Sequence, residues 1–226
     1  MRLSRGIPLA IALLALAGAA APAPARDFNA DVDNAWFPLR PGTTYVYRGA
    51  KDGQPARDVV LVTHRTRRVG GVRCRVVRDR LYLRGRLAER TADYYAQDAR
   101  GTVWYFGEDT AELGRGGRVI TREGTWHAGV DGARAGIFMP AHPRVGERHR
   151  QEFLRGHAED HFAVVSLDAR VSVPFGNFDH ALRTREWTPL EPGVIDAKYY
   201  VRGVGEVSER TVRGGRESAR LVRVVP

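Results

Sequence analysis

His157-Ala158-Glu159-Asp160-His161 is the stretch whose residue types come closest to a metal-binding set. On an extended strand, side chains 157, 159 and 161 point to one face, with neighbours about 7 Å apart. An imidazole and a carboxylate at that separation can converge on one divalent ion, and His149 or Glu186 could supply a third ligand. His157 and His161 together cannot reach one ion without a bulge or bend. A metal-dependent hydrolase is what that set would build. The plainer reading is a solvated strand face of mixed charge, and no cofactor other than such a divalent metal is expected.

Carboxylates form a second set. Glu152, Glu159, Glu186, Glu191 and Asp196 fall on successive strands or turns, with Lys198 close by. If those strands are neighbours, the groups could converge for acid/base work or for a hard cation. The competing reading is cross-strand pairing with arginines. A third set is aromatic: Trp104, Tyr105, Trp187, Tyr199 and Tyr200 could line a ligand pocket or serve as ordinary packing. Nucleophilic catalysis has little to work with. Gly-x-Ser-x-Gly is absent. Cys74 alternates with Val72 and Val76 on one face, away from Arg73 and Arg75, which marks it as a core residue.

Charge needs care. The 226 residues carry 36 Lys+Arg against 26 Asp+Glu, a net charge of +10. Only Lys51 and Lys198 are lysines, and Ala, Gly and Val are plentiful, as GC-rich coding would give. Arginine abundance is therefore weak evidence for an anionic partner. The Arg-rich run from Arg65 to Arg90 could bind an anionic envelope polymer, but it lacks the repeated aromatic spacing of a nucleic-acid reader. Nucleic acid is not an expected partner.

The elements that must position these residues are strands. Residues 1–25 read as a cleavable signal peptide: Arg2 and Arg5, the apolar run Ile7 to Ala21, then Ala23-Pro24-Ala25. The run is too short to span a bilayer. No Cys lies near its end for lipid attachment, and no transmembrane segment is expected after cleavage. Two positive charges leave with the leader, and a secreted or periplasmic protein results. Residues 26–226 then read as one all-β domain, an antiparallel meander of ten to twelve strands in a curled sheet or barrel. Its halves, about 26–123 and 144–226, are joined by a Gly/Ala/Pro-rich connection. Asp98-Ala99-Arg100-Gly101 has the pattern of a type I hairpin turn between strands 91–98 and 102–106. Strands are also expected over 158–167 and 170–173. The change of apolar parity from Val76 to Val77 suggests a bulge there.

Four segments carry a resemblance: Phe37-Pro38-Leu39-Arg40-Pro41-Gly42-Thr43; Tyr95-Ala96-Gln97-Asp98 leading to Val103-Trp104-Tyr105-Phe106-Gly107-Glu108; Glu186-Trp187-Thr188-Pro189-Leu190-Glu191-Pro192-Gly193; and Lys198-Tyr199-Tyr200 with Gly203-Val204-Gly205. They are similar to segments of a family of uncharacterised bacterial exported proteins. The broader Pro-Leu-x-Pro-Gly and Tyr-Tyr-x-x-Gly-x-Gly pattern resembles curled-sheet proteins of the lipoprotein-carrier kind. The first likeness brings no catalytic residues. The second implies a lipid or other amphipathic ligand held inside the sheet. The leading expectation is thus a non-enzymatic envelope protein that binds such a ligand, with the metal hydrolase and the polymer-binding scaffold as alternatives.

Overall fold

The computed structural model describes residues 27–226, so the expected leader and its cleavage bond lie outside the described residues. Every regular element among the described residues is a strand. In chain order they are β1 (Phe28–Asn29), β2 (Thr44–Lys51), β3 (Gln54–Val69), β4 (Val72–Leu83), β5 (Arg86–Asp98), β6 (Val103–Leu113), β7 (Val119–Thr121) and β8 (Trp126–His127). There follow β9 (Arg134–Met139), β10 (Arg148–Arg150), β11 (Glu152–Phe153), β12 (His161–Val173), β13 (Gly176–Trp187), β14 (Ile195–Val201), β15 (Gly205–Arg213) and β16 (Ser218–Val225). The strands form one antiparallel sheet in the order β10-β12-β13-β14-β15-β16-β2-β3-β4-β5-β6-β9-β11. The all-β meander expected from the pattern is what the chain builds. The short pieces β1, β7, β8, β10 and β11 raise the strand number above the ten to twelve expected.

The turns follow their residue chemistry. Asp98 Oδ1 accepts from the N–H groups of Arg100 and Thr102, and Gly101 N–H donates to Asp98 O at 2.9 Å, closing the expected β5–β6 hairpin. Val173-Pro174-Phe175-Gly176 turns β12 into β13, and Gly214-Gly215 sits between β15 and β16.

One six-residue segment brings the two sheet ends together. Arg148–Arg150 pairs with β12 at one end of the strand order, and Glu152–Phe153 pairs with β9 at the other. Gln151 sits between the two pairings and donates its N–H to Asp160 O at 2.8 Å. The sheet is therefore nearly closed into a barrel, which leaves little unpaired edge. Residues 27–40 fold over one end. Asn34 Oδ1 accepts from the Trp36 and Phe37 N–H groups while its Nδ2 donates to Gly101 O and Pro140 O. Gly203 N–H reaches Ala35 O at 2.7 Å.

Three expectations change. The irregularity expected at Val76–Val77 is there but belongs to the neighbouring strand: β3 pairs Val62 with Val77 and Thr66 with Arg75, so its extra residues lie opposite Val76, while β4 pairs without interruption with β5 from Arg75 to Leu81. Both parities are apolar there because both faces are covered: Val77 lines the interior, while Cys74 and Val76 are buried on the other side. Near them the outer ring of Tyr94 lies 5.8 Å from the His127 imidazole. The 158–167 and 170–173 strands are one strand, β12, whose ladder with β13 absorbs shifts between Val164 and Val171. The Gly/Ala/Pro-rich connection contains β8 and β9.

Candidate functional site

The barrel encloses a cavity of 320 Å³. Strand alternation explains most of its lining. Tyr45 and Tyr47 face inward from β2, Asp58, Val60 and Val62 from β3, Val77 and Asp79 from β4, and Asp93 and Tyr95 from β5. On β4 the sequence Arg78-Asp79-Arg80 leaves the acid alone on the inner face. Two irregularities bring in further acids. Tyr105 and Glu108 of β6 both reach the cavity although their parities differ, and the β5–β6 ladder shifts register between Asp93 and Tyr95. Glu206 and Glu209 of β15 do the same beside a shift at Tyr199/Tyr200. Glu186 of β13 and Lys198 of β14 complete this wall, and the closing segment adds Gln151, Glu152 and Asp160. Nine carboxyl groups thus surround one space, with one lysine among them.

The lysine is held tightly. Its Nζ lies 3.2 Å from Glu186 Oε2 and 3.4 Å from Glu209 Oε1. Glu186 Oε1 accepts from Thr184 Oγ1 at 2.8 Å and from the Tyr200 hydroxyl at 3.4 Å. Burial disfavours the ammonium, but Glu186 and Glu209 outweigh it and hold the Lys198 pKa well above its ordinary value.

The other acids have no such cation. Burial, with mutual repulsion added, pushes Asp93 to about 7, Glu108 to about 9 and Glu152 to about 8. Glu206 rises to about 8 through burial and Glu209, although Lys198 opposes the shift. Asp79 is raised well above the carboxylate range by burial and by a hydrogen bond with Asp58, an arrangement that requires a proton between the two. Tyr105 donates its hydroxyl to Asp93 Oδ1 at 2.8 Å. At neutral pH several of these groups are therefore neutral acids, available to ionise when positive charge arrives.

Aromatic rings form the rest of the wall. Tyr95 and Tyr105 stack with centroids 4.8 Å apart, and Phe37, brought in by the end-covering segment, packs 5.3 Å from Tyr95 and 4.5 Å from Phe138. A smaller space of 200 Å³ shares Tyr47, Asp58, Asp79 and Glu209 with the main cavity and adds Glu89, Asp196 and Glu217.

No protein-family model matches the chain, and no curated protein matches it. Two solved structures are similar. One is a presumed exported protein with a YMCC-like fold from Bacteroides fragilis, 13% identical, covering 85% of this chain and 100% of its own, with a TM-score of 0.49. The other is a presumed lipoprotein from Parabacteroides distasonis, 11% identical, covering 85% and 99%, with a TM-score of 0.44.

The residues singled out in the sequence divide between the faces. Glu152 and Glu186 line the main cavity and Asp196 the adjoining one. Glu159 does not join them; its Oε1 accepts from Gly156 N–H at 2.7 Å in the turn before β12. Glu191 lies exposed in the loop before β14. His157 is also in that turn, because the strand begins only at His161, so residues 157, 159 and 161 do not share a strand face. His161 stacks on Trp187 with centroids 5.7 Å apart, and His149 lies 3.6 Å from Glu147. Among the described residues, no three His, Cys, Asp or Glu side chains are grouped to hold a metal ion. Of the aromatic set, Tyr105 lines the cavity and Tyr200 is buried beside Glu186. Trp104 donates to Asp98 Oδ2 at 3.0 Å and packs against Phe28. Tyr199 and Trp187 lie under Arg183 and Arg185.

Asp58, Asp79, Asp93, Glu108, Asp160, Glu206 and Glu209 were not singled out. For Asp79 the signal was present, an acid between two arginines in mid-strand, whereas Asp58 has an arginine on one side only. For Glu108 and Glu206 it was hidden by the register shifts.

Proposed function

We propose that this is a non-enzymatic exported protein of the cell envelope that holds a small amphipathic organic cation inside its curled sheet. The observation that carries the reading is the composition of the cavity: nine carboxyl groups and stacked tyrosines around 320 Å³, with Lys198 as the one lysine. That volume lies at the lower end of the range for small-molecule sites. Tyrosine faces attract an ammonium or guanidinium group, and carboxylates pair with it. A bare acyl chain fits the cavity poorly, because it would strip water from carboxyl groups and offer no hydrogen bond in return. The amphipathic ligand implied by the carrier-like resemblance thus narrows to one with a positive head.

Binding should release protons, since a cation favours ionised carboxylates whose pKa values lie near 7 to 9. Titration calorimetry of alkyl- and arylammonium ions at pH 8, in two buffers of different ionisation heat, measures this directly. The expected result is ammonium binding with proton release, and no binding of hexanoate. Equal binding of hexanoate and hexylammonium, or no uptake of any ammonium ion in the series, would sink the reading.

A further inference from the structure

The alternation that turns Asp79 into the barrel turns Arg78 and Arg80 out of it. On the outer face Arg78 is directly opposite Ala92, and Arg80 is directly opposite Arg90. Arg90 in turn faces Ala111 on β6. Alanines opposite long arginines leave room above the sheet, and a concavity of 370 Å³ lies there, bordered by Arg78, Arg80, Arg90 and Arg122.

These arginines differ from most others whose contacts are defined. Arg57, Arg150, Arg183, Arg185 and Arg202 lie over aromatic rings. Arg67, Arg75 and Arg170 pair with carboxylates. Among the described residues, no carboxylate comes within ion-pair distance of Arg78, Arg80, Arg90 or Arg122. Two acids border the concavity, and both are engaged elsewhere. Asp79 is hydrogen-bonded to Asp58 in the interior. Asp109 holds Arg67, accepts from the Tyr94 hydroxyl at 2.5 Å, and lies 3.0 Å from His127 Nε2. Like charges directly opposite on a ladder are destabilising, so the Arg80–Arg90 pair carries a cost that a bound anion would offset. Guanidinium forks match phosphate oxygens two at a time, and the four positive charges here exceed the roughly two negative charges that one phosphate brings.

We propose that this outer concavity is a binding site for an anion carrying two or more phosphate groups. It is separate in position and opposite in charge from the interior cavity, and it stands whether or not that cavity binds a cation.

Two probes distinguish a free oligophosphate from a phosphorylated lipid headgroup: inorganic tripolyphosphate by calorimetry, and phosphatidylcholine vesicles with and without phosphatidic acid by co-sedimentation. Binding of either supports the site, and the stronger one names the source. An Arg80→Gln, Arg90→Gln double variant should weaken that binding by about tenfold or more, since each charge-assisted hydrogen bond contributes on the order of 1.5–3 kcal/mol. It should also show a shallower dependence on salt. An Arg213→Gln, Arg216→Gln variant removes the same charge from exposed positions outside the concavity and should change binding less than about twofold, as screened surface charges do. Melting curves check that both variants remain folded. Absence of binding to both probes at low salt overturns the proposal, as does equal loss in the two double variants.

Discussion

Lys198 shows how much a single side chain can carry in this interior. Replacing it with methionine keeps the chain length and removes the charge, leaving Glu186 and Glu209 without their cation. Breaking a buried pair from one side costs about 3 kcal/mol, and urea unfolding of Lys198→Met at pH 7 should show a loss of that size. A loss below about 1 kcal/mol would mean that the ammonium is dispensable to the folded wall. At this scale the sequence was partly readable. Glu152, Glu186 and Lys198 stood out because acids and a rare lysine cluster on successive strands. Asp93 did not, because its inward direction depends on the phase of β5 and nothing local marks it as different from an exposed aspartate. Glu159 stood out for its spacing, but its carboxylate satisfies the backbone of its own turn.

Among the elements, the closing segment is the most exposed to disruption. Two short pairings, three residues with β12 and two with β9, join the sheet ends. The close approach depends on Gly136 of β9. A Cβ there would sit 2.3 Å from the Arg150 carbonyl oxygen and 2.4 Å from the Gln151 carbonyl carbon, nearer than real side chains come to backbone. Gly136→Val must push the segment away, and overpacking of this kind costs about 1–3 kcal/mol. Hydrogen exchange should show the loss of protection confined to residues 134–139 and 148–153, with the β3–β4 and β12–β13 ladders unchanged. Uniform loss across the barrel would contradict a local seam. The long strands were legible because alternation and turn residues repeat along them. The seam was not, since two- and three-residue strands carry no period, and their pairing is fixed by partners far away in the chain.

For the whole molecule, the defining property is a sheet with acids inside and arginines outside. The raised interior pKa values set the direction of its pH response. Each such carboxyl holds its proton more firmly folded than unfolded. It therefore stabilises the fold below the ordinary carboxylate range, and that contribution is lost as pH climbs through about 7 to 9. The melting temperature should fall between about pH 5 and pH 9, and Glu108→Gln should recover about 3 °C at the upper end. A flat or rising profile would mean the interior acids are not held neutral. Overall composition obscured this arrangement, since a net charge of +10 averages an acidic interior with a basic exterior.

That average has a kinetic meaning of its own. A cation bound for the cavity must approach through a repulsive shell before the interior attracts it, so added salt lowers the barrier and hastens its arrival. A phosphate approaching the outer arginines meets the reverse: it is steered in at low ionic strength and slowed as salt rises. With both proposed sites in use, one wall would sort ions by sign twice, once in where they rest and once in how fast they get there.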